Sequence, residues 1–157
     1  MTEPVDEAGA IDYSRALHLD AEDLAEEGVL DAYDEIVPLL AEMGISARPV
    51  TSDLDISDGR YSVSFDGDLY EIDPGGPPDD WDRQGDAWGR ATYALFDIVN
   101  RQLAGTGIRL YAIDGGNELS GIFLTAAQAE RARRALPRKT DWPYFPTSEP
   151  TWFGMFH

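Results

Sequence analysis

Between Tyr61 and Ile72 the chain reads Tyr-Ser-Val-Ser-Phe-Asp-Gly-Asp-Leu-Tyr-Glu-Ile. Tyr61, Val63 and Phe65 alternate with Ser62 and Ser64, the period-two pattern of a strand with one apolar face. Asp66-Gly67 suits a tight turn, and residues 69–72 return as the second strand of a hairpin. A second hairpin reads over 108–124, where two apolar runs flank the turn Asp114-Gly115-Gly116-Asn117. Adjacent hairpins imply an antiparallel sheet, and helices around them imply an α+β fold.

Working outward, residues 86–103 read as a helix, because Trp88, Thr92, Leu95, Phe96, Val99 and Leu103 recur at steps of three or four. Gly105 ends it. Residues 20–43 also read as helical. Asp20 is the candidate cap, Gly28 divides a short acidic turn from a longer helix, and Leu30, Tyr33, Val37 and Leu40 form the apolar stripe. Pro38 should kink this helix, and Gly44 sits where a positive φ would end it. Thr125 and Gln128 make a capping box opening a third helix, which Pro137 stops. Residues 45–50 read as a short strand, 51–59 as an acidic turn and 73–82 as an exposed loop rich in proline and glycine. The expected architecture is an antiparallel sheet from two hairpins with three helices packed on it. An extended tail rich in proline and aromatics follows. Residues 1–12 read as a flexible acidic tail and 13–157 as one α+β domain, with no internal repeat of usable period.

Charge is distributed unevenly. Residues 1–80 hold 22 of the 30 acidic residues but only Arg15, Arg48 and Arg60 of the 12 basic ones, and the whole chain carries −18. Such a field repels nucleic acid and anionic membrane and attracts cations or a basic protein. A 43% hydrophobic content with four Trp, seven Tyr and six Phe is too apolar for a wholly disordered acidic chain. There is no cysteine, so disulfides, thiolate metal sites and a cysteine nucleophile are excluded. The acidic start lacks a secretory pattern and no apolar run is long enough to span a membrane, so a cytoplasmic location is expected.

Catalytic parts are scarce. The only histidines are His18 and His157, a poor basis for a Ser–His–Asp arrangement. Carboxylate pairs are expected by chance in so acidic a chain. The run Asp53, Asp55, Ser57, Asp58, Gly59 looks like a calcium loop, but the sixth position of that pattern is Asp58 where glycine is needed, and the twelfth is Ser64 where glutamate is needed. The Asp114–Asn117 turn has no lysine and is not a phosphate loop. The basic cluster Arg131, Arg133, Arg134, Arg138 and Lys139 closes the last helix, where cations complement the dipole. The reading is therefore of a protein that is not an enzyme, with no cofactor and no metal.

What remains is a protein interface. Trp81 lies between Asp80 and Asp82, next to Asp79, in the expected loop. An aromatic anchor ringed by acids suits a basic partner, unless Trp81 folds back onto the core. The other candidate contacts are Glu22, Asp23, Glu26, Glu27 and Asp31 in the first helical region, and Asp53, Asp55 and Asp58 in the acidic turn. Trp88 is expected in the core. Trp142 and Tyr144 are expected to be packed.

The run Leu110-Tyr-Ala-Ile-Asp-Gly-Gly-Asn-Glu-Leu-Ser-Gly-Ile-Phe-Leu-Thr125, preceded by the Trp88 helix, resembles predicted immunity proteins of bacterial polymorphic toxin systems. The positions that carry it are Trp88, Tyr111, Gly115, Gly116, Asn117, Gly121 and Trp142-Pro143-Tyr144, so it covers about residues 85–145 and leaves the acidic half outside. The resemblance implies a small α+β protein that neutralises a cognate basic toxin domain by stoichiometric binding and occlusion, with no catalytic residues to carry over. Two alternatives stand beside it: an acidic nucleic-acid mimic or adaptor that binds a basic nuclease or DNA-binding protein, and a small enzyme or metal-binding domain of unrecognised type.

Overall fold

Both hairpins form, but in separate sheets, because each recruits a third strand from the chain that precedes it. The computed structural model describes residues 3–77 and 81–148, without the side chains of 81–85. In chain order the elements are β1 (Leu17–His18), α1 (Ala21–Asp23), α2 (Val29–Glu42), β2 (Val50–Asp55), β3 (Arg60–Phe65), β4 (Asp68–Asp73), α3 (Trp81–Gln102), β5 (Ile108–Ile113), β6 (Ser120–Thr125) and α4 (Ala126–Ala135). A kinked segment, Leu24–Gly28, joins α1 to α2. The sheets run β1-β6-β5 and β2-β3-β4, all antiparallel. The α+β class holds, whereas the single sheet does not.

The β3–β4 hairpin turns on Asp66 and Gly67, both at positive φ, as a two-residue turn of matching twist requires. Tyr61, Val63, Phe65 and Ile72 are buried on one face. The strand register puts Thr51, Asp53, Ser62, Ser64, Leu69 and Glu71 on the other. Residues 45–49, read with Val50 as a short strand, are irregular, and the strand starts only at Val50. Strand β2 instead occupies most of the segment read as an acidic turn, and the turn shrinks to the residues between Asp55 and Arg60. Backbone pairing to β3 holds a sequence too polar to announce itself as a strand.

Helix α3 is the common support. It packs on β4 of one sheet and β5 of the other, and also touches α1, the Leu24–Gly28 kink and α2. Burial is correspondingly wide: Ala87, Ala91, Ala94, Leu95, Phe96, Ile98 and Val99 all lie in the core, while Trp88 is half-buried against it. It begins at Trp81, so Trp81 and Asp82 lie in its first turn and not in an exposed loop. Asp79 and Asp80 lie outside the described residues.

Sheet β1-β6-β5 is covered on both faces. Leu110 and Ala112 face the main core, while Tyr111, Ile113, Ile122 and Leu124 form a second cluster with Ala129 and Ala132 of α4 and with Val5. Val5 is fully buried and bridges Ile11. Arg131 donates to the Val5 and Asp6 carbonyls and pairs with Glu3 at 3.1 Å. Residues 3–12, expected within a flexible tail, are thus held on α4, because one valine closes its apolar face. The cap predicted for α4 is complete: Thr125 Oγ1 accepts from the Gln128 amide, and Gln128 Oε1 accepts from the Thr125 amide.

After α4 the chain lies across the body. The Trp142 indole donates to the Leu136 carbonyl, Arg133 donates to the Pro143 carbonyl, and Tyr144 bridges Ala112 along the β5 edge. Phe145 stacks on Tyr111 with ring centroids 4.4 Å apart. The aromatics beyond, Trp152, Phe153 and Phe156, lie outside the described residues. Among the described residues no helix is long and apolar enough to cross a membrane.

Candidate functional site

The break between α1 and α2 shapes the site. Asp20 adopts a positive φ and caps α1 through the Glu22 amide, at 3.0 Å. Asn117 of the β5–β6 turn donates to both Asp20 Oδ1 and Glu22 Oε2, at 3.1 and 2.9 Å, and pins this end. The chain then leaves helical geometry at Glu26 and Glu27, the latter at φ +71°, before α2 starts. Gly28 is required there: a Cβ would stand 2.3 Å from the Asp23 carbonyl oxygen.

This turn and the first half of α2 enclose a groove of about 490 Å³. Asp23, Glu26, Glu27, Asp31 and Glu35 line it together with His18, and Leu19, Leu24 and Ala32 supply apolar wall. All five acids except Asp23 and Glu26 repeat at steps of four, so Asp31 and Glu35 are like charges on one helical face. Such a pair opposes the helix by about 0.2–0.5 kcal/mol.

Among the described side chains, no arginine or lysine pairs with these acids. Arg15, Arg48, Arg60, Arg101, Arg131, Arg134 and Arg138 pair with other carboxylates. Arg90, Arg109 and Arg133 are spent on backbone carbonyls. The Tyr61 hydroxyl is buried without a hydrogen bond of normal geometry. Burial, chiefly, pushes it up to about 12; the nearby Val29 amide works against the rise, and Glu27 and Asp31 add to it. Among the described residues no group of three or more acids and histidines converges to hold a metal ion. The groove is therefore a diffuse negative basin. Its apolar wall can carry the aliphatic stem of a lysine or arginine while the acids hold the charged head.

The sequence reading is gathered in part. Asp23, Glu26, Glu27 and Asp31 come together. Glu22 does not line the groove, because Asn117 holds it. Asp53, Asp55 and Asp58 belong to the β2–β3 hairpin. There the Ser57 hydroxyl, then its amide, hold Asp55 below the usual carboxylate range, and Asp58 pairs with Arg60 at 3.5 Å. Of the titratable groove residues, Glu35 and His18 were not named as contacts. Glu35 was findable from its four-residue step beyond Asp31. His18 was readable as a neighbour of the acidic turn, but β1, which positions it, is set by pairing with β6, more than 100 residues away in sequence.

No protein-family model, curated protein or solved structure gives a significant match to this chain.

Proposed function

We propose that the protein is a stoichiometric inhibitor of a basic protein and seats cationic side chains of that partner in the α1–α2 groove. The observation that supports this is the groove itself: five carboxylates around one concavity, none paired with an arginine or lysine among the described side chains. A cation in the groove relieves the Asp31–Glu35 repulsion and meets charge already arranged to receive it, which favours both encounter and orientation. Joined with the resemblance carried by residues 110–125, the reading is of an immunity protein that occludes a cognate toxin domain in the cytoplasm and does not turn it over.

The test is co-expression with the product of the adjacent gene, followed by purification and titration. A one-to-one complex is expected, with protection saturating at one equivalent. The double variant Asp31→Lys, Glu35→Lys should lose the complex while staying folded, and Asp53→Lys on the second sheet should keep it. Retention of the complex by the groove variant removes the groove from the reading. Inactivation of the target by a small fraction of an equivalent makes the protein an enzyme instead.

A further inference from the structure

A second hollow, of about 230 Å³, lies where α3, β5 and the segment after Pro143 meet. Tyr93, Phe96 and Phe145 give it aromatic walls. Phe145 remains 46% exposed although it stacks on Tyr111. Two opposite charges line the same hollow, Asp97 from α3 and Arg109 from β5, both half-buried. They do not pair with each other, and neither forms an ion pair with any other described residue.

The fold keeps these two charges in place. Asn100, one turn beyond Asp97 on α3, closes both ends of its amide on the Leu110 backbone, at 3.0 and 2.7 Å. Leu110 is the neighbour of Arg109, so helix and strand are locked beside the hollow. Arg109 Nη1 donates to the Leu103 and Ile108 carbonyls, both at 2.8 Å. That fixes the guanidinium and leaves Nε and Nη2 with no acceptor among the described residues. Asp97 accepts the Tyr70 hydroxyl on Oδ2, and Arg101 holds Tyr70 in turn at 3.0 Å. Asp97 Oδ1 has no donor among the described residues. The hollow therefore offers a fixed cation, a fixed anion and aromatic walls beside them.

That combination selects its ligand. A simple anion would be repelled by Asp97, and a simple cation by Arg109. A neutral ring would cover both charges without pairing either, which costs desolvation. A zwitterion answers both through charge-assisted hydrogen bonds. Size narrows the class further. Sites for drug-sized molecules run from about 300 to 1,000 Å³, so this hollow suits a smaller one. We propose that it binds a free α-amino acid with an aromatic side chain. The carboxylate sits on Arg109, the ammonium on Asp97 Oδ1 and the ring against Tyr93 and Phe145. This site is separate from the acidic groove, and it stands or falls without it.

The probe is L-phenylalanine, titrated into the isotope-labelled full chain and followed by amide NMR. Saturable shifts are expected, centred on the amides of Asp97, Asn100, Leu110 and Phe145. Phenethylamine lacks the carboxylate and phenylpropionate lacks the ammonium, so each should bind at least about tenfold more weakly than phenylalanine. Asp97→Asn keeps an acceptor for Tyr70 and removes the charge. It should abolish the preference for phenylalanine over phenylpropionate, and Arg109→Gln should abolish the preference over phenethylamine. Amide signals far from the hollow stay in place in both variants and report a native body. The absence of saturable shifts at millimolar phenylalanine overturns the proposal. So does equal binding of the two analogues and the amino acid, a comparison that needs no variant and decides even if Arg109→Gln unfolds. Binding of unaltered strength and preference in both folded variants overturns it too, because the ligand then sits elsewhere.

Discussion

Trp88 shows how a single side chain reads differently in one dimension and in three. Its spacing with Leu95, Phe96 and Val99 predicts a core position, and it does pack on the main core, but only half-buried. The more deeply buried positions on that helix are Ala87, Ala91, Ala94, Leu95, Phe96, Ile98 and Val99. Trp88→Ala should therefore cost about 3 kcal/mol, at the low end of the range for a large aromatic. Chemical denaturation measures it; a loss below about 1 kcal/mol would put the ring outside the packed surface. Asp114 offers a test of opposite sign. Burial first, then Asp141 and Glu118, hold its carboxyl above the usual range, and it adopts a positive φ that asparagine also tolerates. A raised folded-state value means that stability is lost as pH climbs through it. Asp114→Asn should raise the melting temperature at neutral pH, and the gain should vanish in acid, where both side chains are uncharged. Melting curves at the two pH values decide it.

At the scale of elements, local chemistry was legible and partner choice was not. The Asp66-Gly67 turn, the Thr125–Gln128 box and the glycine after α2 act within a few residues, so the sequence displays them openly. Strand β2 is hard to see locally: Asp53 and Asp55 are poor strand formers and no apolar alternation marks the run, and the segment is extended because β3 offers a backbone to pair with. The expected stripe on α2 was also out of phase. Val29, Ala32, Tyr33, Ile36 and Leu40 are buried, while Leu30 and Val37 are only partly so, because the kinked entry through Glu26–Gly28 sets the rotation of the helix. That entry yields the element-scale prediction. Gly28→Ala drives a methyl into the Asp23 carbonyl and should destabilise the fold by about 1–3 kcal/mol. In the folded fraction it should also distort the groove. Calorimetry gives the first effect and affinity for the basic partner the second; an unperturbed melting temperature would mean that the turn yields without strain.

The whole molecule carries a net charge of −18, and its α1–α2 groove gathers five of the carboxylates. Four of the five groove acids were named from sequence by charge density, and Gly28 marks the α1–α2 break, but the turn at Glu26 and Glu27 that makes them converge is seen only in the fold. The expectation for association follows from the field. Raising ionic strength from about 0.05 to 0.5 M should slow binding of the basic partner by roughly tenfold or more, with a smaller effect on dissociation. Stopped-flow mixing across that range reads both rates, and a flat association rate removes electrostatic steering.

The clasp between residues 3–12 and α4 carries a consequence for biosynthesis. Glu3 and Arg131, joined by an ion pair, lie 128 residues apart, and β1 pairs with β6, more than 100 residues further along the chain. On the ribosome residues 3–18 must wait, unpaired, for partners made more than 100 residues later. The middle sheet can zip as it emerges, since β2, β3 and β4 are neighbours in the chain. The β1-β6-β5 sheet closes only after release of most of the polypeptide, so a pause in translation before α4 would leave Val5 and Leu19 bare to chaperones. Contacts of such long loop length are the slow ones to form. The nascent chain should therefore gain protease resistance in two stages, the central hairpins first and the clasp last.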